Sequence, residues 1–170
     1  MRSRIGMTFL LLLGLTFFPY GIAHAEKLTG KVVGVADGDT LTILSAGNQQ
    51  TRIRLAQIDA PEKRQPFGQK SKESLSDQVY GQMVDVDIRT IDRYGRSVGT
   101  VYRDGEDINL IQIQRGMAWV YRQYANDPNY FRMEKTARQE RIGLWSDPSP
   151  VPPWEFRHTE RSNSRRTPKD

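Results

Sequence analysis

Five charged residues fall in three short stretches where chemistry could use them. They are Asp39 in DGDT (37–40), Arg54, Asp59 and Glu62 in IRLAQIDAPE (53–62) and its flank, and Arg96 in DRYGR (92–96). Each stretch has an ordinary structural use. Asp-Gly-Asp suits a hairpin turn, Asp59 and Glu62 have capping-box spacing, and Tyr94-Gly95-Arg96 suits a turn with a solvated arginine. The joint pattern points further. A capping box starts its helix at once, yet four residues intervene before helical periodicity begins at Phe67. Asp39, Asp59 and Glu62 can instead gather hard oxygen ligands around a divalent cation, and calcium accepts several such oxygens in flexible geometry. Arg54 and Arg96 would face an anion beside it. A phosphodiester matches this set: a guanidinium fork grips two phosphate oxygens together, a divalent cation neutralises developing charge, and Glu62 can position or deprotonate a water.

The residue inventory narrows the alternatives. The 170 residues contain no cysteine and two histidines, His24 near the start and His158 in a polar tail. Thiol nucleophiles, thiolate zinc sites and disulfides are therefore excluded, and a histidine general base in the core is not expected. The formal charge is +5, and loss of Arg2 and Arg4 would leave +3, modestly basic and compatible with an anionic partner.

The elements that must position these residues follow from periodicity. Residues 1–25 carry the arginines, an apolar run and the small-x-small pattern Ala23-His24-Ala25 of an export signal, so the mature chain is expected to begin at Glu26 and to be periplasmic or secreted, without stable membrane association. From Leu28 to Ile58, alternating apolar residues predict a three-stranded meander. Phe67, Ser71, Leu75 and Val79 recur every four residues and predict a helix over 67–80. Val84, Val86 and Ile88 form a strand, Tyr94-Gly95 a turn, and residues 98–102 the return strand. A short helix is expected over 108–115, and Asp127-Pro128 reads as the cap and first position of another. Trp119, Val120, Met133 and Ala137 are assigned to the core, and Lys70 and Lys72 to a solvated face. The fold class is α+β, mainly β: a five-stranded barrel with about three helices over residues 26–147. Residues 148–170 read as a tail, first proline-rich and extended, then polar and disordered.

These motifs resemble the staphylococcal (micrococcal) nuclease family, the thermonucleases. The resemblance rests on VADGDTLTI, TRIRLAQIDAPE, DRYGRSVGTVY, NLIQIQRGMAWV and ERIGLWS, which together span most of residues 28–146. It implies an OB-fold-like barrel and calcium-dependent hydrolysis of DNA and RNA to 3′-phosphate ends. It also implies that Asp39, Asp59 and the main-chain carbonyl of Ala60 hold calcium, that Glu62 orients or activates water, and that Arg54 and Arg96 stabilise the transition state. Tyr94 and Arg93 would lie beside the nucleotide, with Arg93 where a lysine is often seen. Tyr121 and Tyr124 are both candidates for the nucleotide pocket, and the sequence leaves open which contacts it. A monomer is expected. The competing reading is a catalytically inactive OB-fold module that binds nucleic acid by charge and stacking. A calcium-binding surface protein is a third, and it leaves both arginines without a purpose.

Overall fold

The computed structural model describes residues 26–166, so the expected export signal lies outside the described residues. Strand β1 (Glu26–Val35) turns into β2 (Thr40–Leu44), and β3 (Gln50–Leu55) follows a polar loop, giving the expected antiparallel meander. Strand alternation sends Leu41, Ile43, Ile53 and Leu55 into the interior, where each is fully buried. After the two-residue β4 (Ile58–Asp59) and a helix, β5 (Met83–Ile91) pairs with β1, and β6 (Ser97–Arg103) returns along β5. Strand β6 then runs parallel to β3, with Arg54 opposite Val98, and this pairing closes a five-stranded barrel. Closure leaves those strands no free edge. A short β7 (Glu106–Asp107) extends β6 on its far side.

Helix α1 (Gly68–Val79) covers the barrel with Leu75 and Val79. Helix α2 (Ile108–Gln114) is capped by Asp107, whose Oδ1 accepts the Leu110 N–H at 2.9 Å. Helix α3 (Pro128–Gln139) begins as its sequence signals, with Asp127 accepting the Asn129 N–H at 2.8 Å and proline at the first position. Ile108, Ile113 and Tyr130 join the barrel core, each worth about 1.5–3 kcal/mol of burial. Strand β8 (Trp119–Val120) pairs with β4, placing Trp119 opposite Asp59. Trp119 and Ala137 join Leu144 and Trp145 in a second cluster, and Met133 packs against the first, as expected.

The tail differs from its sequence reading. Residues Pro153–Arg166 form a fourth helix, α4. Proline at its start and Glu155 in its first turn suit a helix N-terminus, but its polar composition presents no apolar stripe for periodicity to detect. Trp154 and the half-buried Phe156 face the body of the protein instead. The Trp154 ring stacks on Tyr121 at 5.8 Å between centroids and 4° between planes, and meets Trp119 edge-on at 5.7 Å.

Candidate active site

One cleft of about 860 Å³ at the end of the barrel collects all ten residues singled out from the sequence. Asp39 comes from the β1–β2 turn, Arg54 from β3, and Asp59, Ala60 and Glu62 from β4 and the segment after it. Arg93, Tyr94 and Arg96 come from the β5–β6 hairpin, and Tyr121 and Tyr124 from the loop after β8. Lys70 and Lys72 do not line it; Lys70 is exposed on α1, its ammonium 4.8 Å from the Phe67 ring centroid.

Strand register explains the convergence. Arg54 pairs with Thr40 on one side and Val98 on the other, so it lies one residue from Asp39 across β2 and shares a strand face with Arg96 across β6. The DGD turn is tightened by an Asp39 N–H to Asp37 Oδ1 hydrogen bond of 3.1 Å. Gly38 serves a close approach: a Cβ there would stand 1.8 Å from Ser71 Oγ and 2.8 Å from the Ala60 Cβ. Asp59 and Glu62 do not cap a helix. Glu62 enters a separate turn in which its carbonyl accepts the Gln65 N–H at 2.8 Å, and α1 starts later, after Phe67 in a left-handed conformation. Buried Gln57 fixes the tyrosine loop from below: its carbonyl accepts the Tyr121 N–H at 2.8 Å, and its Oε1 accepts the N–H groups of Asn126 and Asp127 at 2.9 and 3.1 Å.

The centre of the cleft is an alternation of carboxylates and guanidinium groups. Arg54 donates to Asp39 Oδ1 through Nη1 and to Asp59 Oδ1 through Nη2, the second at 2.9 Å. Asp39 Oδ2 also accepts the Ala60 N–H at 2.7 Å. Burial opposes the charge of Asp39, but Arg54 and that N–H outweigh it and hold the carboxyl below the usual aspartate range. Burial likewise opposes the Arg54 charge, and Asp39 and Asp59 overcome it and raise its pKa. Asp37, just outside the pair, is pushed up to about 6 by burial and by the neighbouring Asp39 charge.

Arg96 is held at the hairpin tip by a single carboxylate. Its Nε and Nη2 donate to Asp92 Oδ2 at 2.8 and 2.7 Å, and its guanidinium carbon lies 5.5 Å from the Tyr94 ring centroid. The Arg93 guanidinium lies 5.3 Å from the same ring, which is 68% exposed and open to a planar partner. Tyr121 and Tyr124 meet edge to face at 4.9 Å. Both line the cleft, Tyr121 stacked against Trp154 and Tyr124 exposed.

Sequence reasoning missed the contribution of α4. Trp154, Arg157, His158 and Arg161 all line the cleft, so one of the two histidines does reach it, exposed at its rim. Arg157 goes deepest. Its Nη2 donates to Asp59 Oδ2 at 2.8 Å, and its Nη1 donates to Asp59 Oδ1 at 3.2 Å and to Glu62 Oε1 at 2.7 Å. Burial works against this charge, and hydrogen bonding to the two carboxylates raises the Arg157 pKa above its ordinary value. One signal was available: a tryptophan three residues before an arginine, after a proline, is unusual in a disordered tail and fits a docked helix face.

Among the described residues no three carboxylates or histidines form a metal cluster, and the guanidinium groups of Arg54 and Arg157 lie among the candidate ligands. The donors still fit a hard cation. Asp59 is fully buried and ionised carboxylates at such a depth need counter-charge, here supplied by two arginines. A divalent ion can supply the same counter-charge to Asp39, Asp59 and Glu62, all of them oxygen donors.

The chain is similar to known nucleases. Residues 52–147 match the family model for staphylococcal nuclease homologues. An uncharacterized endonuclease of Haemophilus influenzae is 45% identical over 162 residues, covering 95% of this chain and 89% of that protein. A micrococcal nuclease of Shigella flexneri is 42% identical over 144 residues, 78% of this chain and 82% of that protein. A staphylococcal-like nuclease of Arabidopsis thaliana is 38% identical over 113 residues, which are 66% of this chain and 35% of that longer protein.

Proposed function

This chain belongs to the staphylococcal nuclease homologue family, and on that premise we propose that it is an exported, calcium-dependent endonuclease. Its substrates are DNA and RNA, and it leaves 3′-phosphate ends. The observation that carries this reading is the convergence of Arg54, Arg96, Asp39, Asp59 and Glu62 on one cleft. A phosphodiester hydrolase needs those charges together, whereas a module that only binds nucleic acid needs no buried carboxylates beside its arginines.

Asp39, Asp59 and the carbonyl of Ala60 would hold the ion, with Glu62 reaching it through water. Bound there, it supplies positive charge beside the phosphate and orients the water. The protein's own groups account for the remaining steps. Glu62, whose side chain is 38% exposed, accepts a proton from the attacking water as the new P–O bond forms. The bond from phosphorus to the 5′ oxygen breaks, and that oxygen takes a proton from solvent while Glu62 gives its proton back to solvent, leaving a 3′-phosphate on one fragment and a 5′-hydroxyl on the other. Negative charge grows on the equatorial oxygens in between, and the planar forks of Arg54 and Arg96 bind them more tightly then than in the ground state. Asp92 holds Arg96 through Nε and Nη2, which leaves the other guanidinium N–H groups for the phosphate. Tyr94, Tyr121 and Tyr124 offer ring faces to the bases, which suits a substrate whose sequence varies. The chain acts as a monomer after removal of residues 1–25.

The test uses the chain from Glu26 with single-stranded DNA and RNA, in calcium or in EGTA, beside Glu62→Gln. Cleavage that needs calcium, falls in the variant and leaves ends labelled by a 5′-hydroxyl kinase supports the reading. Binding without cleavage in either buffer would make the protein a nucleic-acid-binding module and sink it.

A further inference from the structure

We propose that Arg157 is a built-in competitor for the cation: its guanidinium holds the ion's place on Asp59 and Glu62 until the ion displaces it. The inference rests on the cation site of the proposed function and adds a regulatory arm to it. Three contacts carry it. Arg157 takes both oxygens of Asp59, at 2.8 and 3.2 Å, and one of Glu62, at 2.7 Å. Those are two of the carboxylates an ion would need. Arg54 already occupies Asp59 Oδ1 and Asp39, so with Arg157 in place neither Asp59 oxygen is free.

The arm is built to swing. Helix α4 is pinned through Trp154, one turn before Arg157, by the stacked Tyr121 ring. The helix can therefore stay docked while the long, flexible arginine side chain, 30% exposed, withdraws toward solvent. Its departure exposes a carboxylate pair that must find another counter-charge, which a divalent ion supplies. Withdrawn, the guanidinium remains on a cleft wall that also carries His158 and Arg161, beside the path of a nucleic-acid backbone. Competition of this kind scales the apparent affinity for the ion by the fraction of molecules whose site is open, so a tenfold effect corresponds to about nine molecules in ten closed.

Calorimetric titration of calcium into the nucleic-acid-free chain from Glu26 reads this directly. Arg157→Ala is expected to bind calcium about tenfold more tightly than the unaltered chain, a change of about 1.4 kcal/mol. Arg157→Lys, which keeps the charge and loses the fork, is expected to fall between them. Arg161→Ala removes the same charge from the same helix without touching a carboxylate, and should shift affinity by less than about threefold, as a screened long-range effect does. Equal tightening in Arg157→Ala and Arg161→Ala would overturn the displacement, leaving only general charge repulsion and the cation site intact. No calcium binding in any of the four proteins would overturn the cation site and the competitor together.

Discussion

Arg54→Ala tests whether the centre of the cleft is held by compensated burial of charge. The Arg54 side chain is 16% exposed and faces Asp39 at 4% and Asp59 at 0%. Truncation would leave Asp39 without a cationic partner, with the Ala60 N–H, the Thr40 hydroxyl and the Asp37 carboxyl beside it, while Asp59 keeps Arg157. Breaking one partner from a buried pair typically costs about 3–5 kcal/mol, a large share of the roughly 5–15 kcal/mol that stabilises a domain. With a urea slope of about 1–3 kcal/mol/M, the unfolding midpoint should fall by about 2 M. The pH dependence is the sharper readout. The Asp39 carboxyl is held below its ordinary value, so its contribution is present above pH 3.8 and is lost as pH falls through its folded pKa. In the variant, burial acts without Arg54 to oppose it, the Asp39 pKa rises, and protonation in mild acid relieves the unpaired charge. The stability gap between the two proteins should therefore narrow as pH is lowered from neutral toward 4. Urea melts in chelator at several pH values measure it. A gap under about 1 kcal/mol at neutral pH, or one that stays constant with pH, would refute the reasoning.

Three further outcomes are expected. Glu62→Gln should reduce turnover by about 10²–10⁴ while altering stability by under about 1 kcal/mol, since its side chain is 38% exposed; parallel kinetics and melts separate the two. Gly38→Ala forces a Cβ to 1.8 Å from Ser71 Oγ and should cost about 1–3 kcal/mol in denaturant melts, with part recovered when Ser71→Ala is added. Asp92→Asn removes the charged partner of Arg96 and should lower turnover about tenfold at neutral pH with little change in stability. Burial opposes the Asp92 charge, but hydrogen bonds from Arg96 and Tyr94 keep its carboxyl below the aspartate value. Its hold on Arg96 therefore loosens only as pH drops below 3.8 toward that lowered pKa; pH–rate profiles of both proteins show whether it does.

Much of the barrel and most of the cleft were legible in the residues themselves. Period-two alternation in β2, β3 and β5 depends only on which face meets the core, and the Asp127-Pro128 start of α3 depends only on local backbone chemistry. The site residues stood out only jointly: each stretch alone has an ordinary structural use, but three carboxylates and two arginines at turns and strand ends share one chemistry. Other features required the tertiary structure. That Gly38 yields room to Ser71 and Ala60, that Gln57 braces the tyrosine loop, and that β6 closes on β3 are contacts between segments far apart in the chain, with no local signature. Helix α4 is the clearest case. Its sequence is polar and carries no apolar period, so beyond the proline start and the Trp154–Arg157 spacing little within residues 153–166 signals a docked helix. Trp154 finds a ring to stack on, and Arg157 finds two carboxylates short of counter-charge, only once β4, β8 and the tyrosine loop are assembled. The sequence by itself determined which charges this protein carries and on which strands and turns. Folding decided which guanidinium groups those carboxylates meet, because a buried charge takes its partner from whatever the packed chain brings within reach.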